Sequence, residues 1–275
     1  VNIAQTAKNP VYSSQFQLLA PKQSLADQPL FIYLPGMDGT GRLFGTQTKK
    51  LAACFNLRCL AIPPNDLSDW DSLTYRVVKL IQEELATMGK DRFYLCGESF
   101  GGCLALKIAE AQPELIEKLI LVNPASAFPD QPLLNWGIPL TRYLVPDWLH
   151  PTSALALLPF LAELSRIQRR DRQALLQAMK ALSRDVVSWR LFLLQQFMVS
   201  EYRLSLFKGP TLAIASAADR LLPSVAEAKR LIKIFPQGKM TILPQSGHAC
   251  LLEKTTDLFE ILRKHRFLPN KSAKT

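Results

Sequence analysis

The stretch Phe93-Tyr94-Leu95-Cys96-Gly97-Glu98-Ser99-Phe100-Gly101-Gly102 decides how the rest of the chain is read. Four apolar or aromatic residues with strand character run into Gly97-Glu98-Ser99-Phe100-Gly101, and Cys103 to Ala111 then reads as a buried helix. This is G-x-S-x-G between a strand and a helix, a turn so sharp that its serine sits in strained backbone with the hydroxyl exposed. Side chains two positions either side of the serine would collide, and Gly97 and Gly101 remove those collisions. Ser99 is therefore the candidate nucleophile.

Working outward, Leu30 to Leu34 is a short continuous apolar run, as expected of a strand buried on both faces. It ends at Pro35-Gly36-Met37-Asp38-Gly39-Thr40-Gly41, a turn too rich in glycine for a helix. A helix is expected over Leu43 to Phe55 and a strand over Leu57 to Ile62, stopped by Pro63-Pro64. An N-terminal strand falls somewhere in Val11 to Ala20. Trp70 to Met88 shows helical spacing, with Leu73, Val77, Leu80, Ile81 and Leu85 on one face and Gly89 closing it. Lys118 to Val122 is the strand after the Ser99 helix. Strands alternating with helices imply an α/β fold with a mostly parallel sheet.

The alternation stops between Ala125 and Phe207. Leu133–Leu144, Ser153–Leu164, Arg170–Leu182 and Val186–Val199 carry helical periodicity, and no strand run interrupts them. We read residues 125–207 as a helical cap inserted between two strands of a core made of residues 1–124 and 208–275. Trp136, Trp148, Phe160, Trp189, Phe192 and Phe197 in this insert either pack among themselves and onto the core or line an apolar substrate pocket. The sheet resumes at Pro210 to Ala215. A helix from Ser224 to Phe235, a strand from Lys239 to Leu243, a loop Gln245-Ser246-Gly247-His248 and a helix from Glu253 to His265 complete the chain.

A serine hydroxyl needs an adjacent base, itself oriented by a buried acid. Of the three histidines, His150 lies in the insert and His265 in the basic tail. Only His248 follows a strand in a glycine-containing loop. Asp219 sits four residues beyond the apolar run Leu212–Ala215, where that strand should end. The alternative for Asp219 is a cap for the helix beginning near Ser224. The strand after Ser99 ends in Leu121-Val122-Asn123-Pro124 and offers no carboxylate. The order Ser99, Asp219, His248 is the one this kind of site requires. Oxyanion donors are expected from the backbone N–H of Phe100, at a helix start, and of Met37, directly after Pro35-Gly36. Gly39-Thr40-Gly41 with Gly45 has the last glycine one position too far for a dinucleotide fingerprint. No cofactor and no metal are expected.

Composition sets outer limits. The 275 residues are 48% hydrophobic and 20% charged, enough for one large α/β domain with an insertion. No run of eighteen apolar residues is present for a membrane span, and no secretory signal pattern opens the chain. Five cysteines, none in C-x-x-C spacing, read as apolar core residues in a reducing compartment. The net charge of +10 is uneven: about −3 over residues 51–124 and about +7 over residues 229–275. No nucleic-acid motif accompanies it, so nucleic acid is not an expected partner. The basic end is either a solvated face or a peripheral contact with an anionic membrane.

These residues bring a family into view. The chain resembles the α/β-hydrolase superfamily and, more narrowly, the hydrolase part of the phytyl ester synthase group, esterase/lipase/thioesterase-like proteins of plastids and cyanobacteria. Leu34-Pro35-Gly36-Met37-Asp38-Gly39-Thr40-Gly41, Cys59-Leu60-Ala61-Ile62-Pro63, Gly97-Glu98-Ser99-Phe100-Gly101-Gly102 and Leu121-Val122-Asn123-Pro124-Ala125 carry this resemblance. It implies lipophilic acyl substrates such as galactolipid or other glycerolipid esters, acyl thioesters, or acyl groups passed to phytol. It also implies a cytoplasmic location or one peripheral to a photosynthetic membrane. Plant members resemble a fusion with an acyltransferase-like half that carries His and Asp separated by four residues. None of His150, His248 and His265 has Asp five positions on, so ester hydrolysis is the expectation, with acyl transfer and thioester hydrolysis as alternatives.

Overall fold

In the computed structural model the described residues are 14–21, 27–131 and 163–269. Seven strands form one sheet: β1 (Gln17–Leu19), β2 (Leu30–Leu34), β3 (Asn56–Ala61), β4 (Phe93–Glu98), β5 (Ile116–Val122), β6 (Thr211–Ser216) and β7 (Gly238–Leu243). Their spatial order is β1-β3-β2-β4-β5-β6-β7. Only β1 runs antiparallel, against β3; the other neighbours are parallel. The expected α/β class and mostly parallel sheet are what the chain adopts.

The continuous apolar runs follow from two-sided burial. Leu30, Ile32 and Leu34 of β2 enter one core cluster, and Phe31 and Tyr33 enter the other, on the opposite face. The first cluster is covered by α2 (Trp70–Met88) and α3 (Phe100–Ala111); the second receives Leu51 of α1 (Thr48–Leu51). Helix α2 matches its expected bounds because both ends are capped. Asp69 accepts from the Ser72 N–H at 2.8 Å, and Gly89 closes the helix with φ 59°.

Between β5 and β6 the described residues hold α4 (Arg169–Lys180), α5 (Arg184–Gln195) and α6 (Glu201–Ser205), with no strand among them. Helix α5 is docked on the core by two indole N–H groups. Trp70 donates to the Leu193 carbonyl at 2.8 Å, and Trp189 to the Ser68 carbonyl at 2.9 Å. Phe197 meets the Trp70 ring edge-on at 5.4 Å. Of the aromatic residues expected in the insert, Trp189, Phe192 and Phe197 thus have packing roles or surface positions, Phe192 being exposed. Trp136, Trp148 and Phe160, the expected helix Leu133–Leu144, most of Ser153–Leu164 and His150 lie outside the described residues. Past β6, α7 (Ser224–Ile234) and α8 (Leu258–Lys264) cover opposite faces of the sheet.

Two expected helices are shorter than their periodicity suggests. Over Leu43–Phe55 the chain makes a 3₁₀ turn, Leu43–Thr46, and then only the four-residue α1. Phe44 swings inward to stack on Tyr33 at 4.0 Å. Gln47 is committed to the C-terminal segment: it donates to the Leu251 and Thr256 carbonyls at 2.7 and 2.9 Å and accepts from the Leu258 N–H at 2.9 Å. Likewise the last helix starts at Leu258 rather than Glu253, because Glu253 is buried in contacts with Arg166 and the Gly247 N–H. Tertiary hydrogen bonds override helical spacing at both places.

Candidate active site

The C-terminal ends of β2, β4, β6 and β7 converge, as ligand sites do in open parallel sheets. Strand β4 hands the chain directly to α3 at Ser99, which has φ 53° and ψ −115°. A non-glycine residue holds such a conformation only when its surroundings over-determine it. Here the Ser99 N–H donates to the Val122 carbonyl at 3.0 Å, while the Ser99 carbonyl accepts from Gly102 and Ala125 at 2.9 and 3.1 Å. The elbow is also closely packed. A Cβ at Gly97 would fall on the Gly101 carbonyl oxygen, and one at Gly101 on those of Leu34 and Pro35.

His248 lies past the end of β7 and Asp219 past the end of β6. His248 Nε2 is 2.8 Å from Ser99 Oγ, and His248 Nδ1 is 2.7 Å from Asp219 Oδ2. An ionised Asp219 selects the Nδ1–H tautomer, leaving Nε2 to accept from the serine hydroxyl. The His248 and Asp219 side chains are 4% and 1% exposed, so this chain of bonds is shielded from water. Burial alone would raise the Asp219 pKa. The bonds from His248, from the Ser224 hydroxyl and from the Leu222 N–H outweigh it and hold the carboxyl below its ordinary value. Asp219 accepts from the Ser224 hydroxyl, but its backbone donors are Leu221 and Leu222, ahead of α7, whose N-cap position is held by Pro223 with no side-chain cap, so the capping alternative does not describe its position.

Met37 stands in the loop after β2, and that loop abuts the elbow: a Cβ at Gly36 would lie 3.7 Å from Ser99 Cβ. Phe100 is the first residue of α3, its ring stacked on Trp70 at 4.8 Å. Sequence reasoning passed over several residues that hold these parts. Asn123, noted only for not being a carboxylate, has φ 42° and is fully buried. Its Nδ2 donates to the Ser216 hydroxyl at 2.9 Å and the His248 carbonyl at 2.7 Å, and its Oδ1 accepts from the Ser216 N–H at 2.8 Å. It thereby ties the end of β5 to β6 and to the histidine loop. Glu253 holds the same loop through the Gly247 N–H at 2.8 Å. The signal for Asn123 was available: a polar residue directly after an apolar strand and before proline.

Glu98 is half-buried beside Ser99 and accepts a hydrogen bond from the Tyr33 hydroxyl. Burial pushes its pKa up to about 7 from 4.5, against the opposing pull of Tyr33 and His248. Between those values the folded chain retains a proton that the unfolded chain releases, so stability falls as pH rises across that window and levels off above it. The loss amounts to as much as about 3 kcal/mol, at 1.36 kcal/mol per pKa unit. Glu98→Gln is expected to flatten this slope in urea denaturation followed from pH 5 to pH 8; an unchanged slope would assign it to another group.

All five cysteines are free, with Cys59, Cys96, Cys103 and Cys250 buried as core residues. Burial raises these four thiols, Cys59 to about 12, which disfavours thiolate chemistry. Among the described residues there is no cluster of His, Cys, Asp or Glu arranged for a metal, and no helix long and apolar enough to cross a membrane. A groove of about 730 Å³ lies away from Ser99, lined in part by Phe16, Asp66, Asp69, Arg76 and Trp189.

A family model described as alpha/beta hydrolase fold matches residues 62–255, more than half of the chain. The chain belongs to the α/β-hydrolase family. Within it, the chain resembles phytyl ester synthase 1, chloroplastic, of Arabidopsis thaliana, at 33% identity over 263 residues. It is 30% identical over 262 residues to phytyl ester synthase 2, chloroplastic, of the same plant. Each match covers 86% of this chain but 37% of the plant protein, so the chain spans little more than a third of those relatives. Among solved structures, the esterase RhEst1 from Rhodococcus sp. ECU1013 aligns with a TM-score of 0.73 at 15% identity, covering 91% of this chain and 93% of that one. At that identity the likeness is one of fold.

Proposed function

We propose that this α/β-hydrolase is a serine hydrolase that cleaves carboxylic esters of lipophilic acyl substrates through an acyl-enzyme. The observation that carries the proposal is the Ser99–His248–Asp219 hydrogen-bond chain, at 2.8 and 2.7 Å, built past the ends of β4, β7 and β6. Ser99 Oγ attacks the ester carbonyl while His248 Nε2 takes its proton. The negative charge on the carbonyl oxygen is met by the N–H groups of Phe100 and Met37, the first at a helix N-terminus. His248 returns the proton to the leaving alcohol, the ester C–O bond breaks, and Ser99 carries the acyl group. Water then attacks in a mirror sequence, with His248 again as base, and releases the acid. Asp219 holds the imidazole in the productive tautomer and stabilises its cation. A capping role for the insert between β5 and β6 is part of this proposal, supported among the described residues by the docking of α5 on the core.

The lipophilic acyl class is supported by the resemblance to the two phytyl ester synthases. That same resemblance supports a second reading, in which a long-chain alcohol replaces water as acceptor. Incubation with a diacyl galactolipid, with and without phytol, separates the two. Free fatty acid as the product under both conditions is the expected result; phytyl ester formed at the expense of fatty acid would establish transfer.

A further inference from the structure

Arg190 is a cation buried to 2% exposure on α5, outside the Ser99–His248–Asp219 chain. Its Nη1 donates to the Met37 carbonyl at 2.6 Å. The same guanidinium lies against Gly39, where a Cβ would come within 2.7 Å of Nη1, and its Cζ stands 5.9 Å from the centre of the Phe100 ring. It therefore contacts both residues whose N–H groups are assigned to the oxyanion.

The turn it grips is the one that aims the Met37 N–H. The Gly39 N–H donates to the Gly36 carbonyl at 3.0 Å, which fixes the peptide plane bearing that N–H. Gly39 closes the turn at φ 66°, and the Asp38 carboxylate is pinned by the Thr40 N–H and hydroxyl at 2.8 and 2.5 Å. Arg190 secures the next peptide plane, through the Met37 carbonyl. A buried guanidinium is costly, and methionine would fill the same space without a charge to desolvate. A charge-assisted bond to one carbonyl of a glycine-rich turn gives a reason for the cation.

We infer that Arg190 is a positioning residue that clamps the Pro35–Gly39 turn against the elbow, so that the oxyanion site is complete only while α5 is docked. This rests on the serine-hydrolase reading above. Oxyanion stabilisation acts in the transition state rather than on bound substrate, so its loss appears in kcat.

The test compares wild type, Arg190→Met, Arg190→Lys and Gly39→Ala on a p-nitrophenyl ester, with thermal melts to establish folding. Arg190→Met is expected to lower kcat roughly 10- to 100-fold with KM within about twofold, since a single oxyanion donor is worth at most about 10³. Fluorophosphonate labelling of Ser99 should slow in parallel, because it passes through the same kind of oxyanion. Arg190→Lys, which keeps a cation, should recover part of kcat, and Gly39→Ala should lose kcat by both straining the φ 66° turn and crowding the guanidinium. An effect confined to KM, or folded variants with wild-type kcat and labelling, would overturn the inference. Wild type that is neither active nor labelled would instead overturn the serine-hydrolase reading itself.

Discussion

Ser99→Ala is expected to lower ester turnover by about 10⁵- to 10⁶-fold while leaving the fold in place. The strained backbone is not the reason. Alanine keeps the Cβ of serine, so the cost of φ 53° is the same in both proteins. The bonds that impose it also survive, since Val122, Gly102 and Ala125 meet the main chain of residue 99 rather than its hydroxyl. What disappears is the proposed nucleophile and one hydrogen bond to His248 Nε2. The melting temperature should therefore move by only a few degrees, corresponding to about 1 kcal/mol. The check is kcat on a p-nitrophenyl ester beside a thermal melt. Turnover retained at more than a hundredth of wild type would remove Ser99 from the mechanism.

Gly101→Ala is the reverse case: a stability effect large enough to abolish activity indirectly. Helix α3 passes so near the end of β2 that a Cβ at position 101 would fall on the Leu34 and Pro35 carbonyl oxygens. Those atoms are backbone at the end of a central strand with 0% exposed Leu34, so no flexible side chain can move aside. A loss of more than about 4 kcal/mol is expected, seen as insoluble expression or a collapsed urea midpoint. Gly45→Ala provides the control. Nothing lies within 4 Å of a Cβ there and φ is not positive, so its midpoint should shift by less than about 0.5 kcal/mol. Equal midpoints for the two variants would contradict the close approach of α3 to β2.

The parts of the fold legible in the chain were those governed by local chemistry. Strand β2 was visible because both of its faces are buried, which leaves no polar position to blur the run. Helix α2 was visible because Asp69 and Gly89 mark its ends with side-chain and backbone capping. The elbow was visible because the steric demand on Gly97 and Gly101 admits no other residue. The Leu43–Phe55 segment misled because its apolar spacing is helical while Gln47 and Phe44 serve distant partners. Helix α6 was missed because five residues carry too little periodicity to detect.

The candidate site divides in the same way. Sequence by itself singled out Ser99 as candidate nucleophile, since its turn is a local event, and His248 and Asp219 as candidate base and acid by strand context and elimination. Tertiary structure alone decided that their side chains meet, at 2.8 and 2.7 Å across 149 and 29 residues of chain. It also decided what holds them. Asn123 and Glu253 steady the histidine loop, Glu98 lies with Tyr33 beside Ser99, and Arg190 reaches the Met37 turn from a helix 153 residues away. Of these four only Asn123 leaves a signal in the sequence, as a polar residue between an apolar strand and a proline. A buried polar residue takes its role from the partner that satisfies it, and that partner is set by packing rather than by neighbouring sequence.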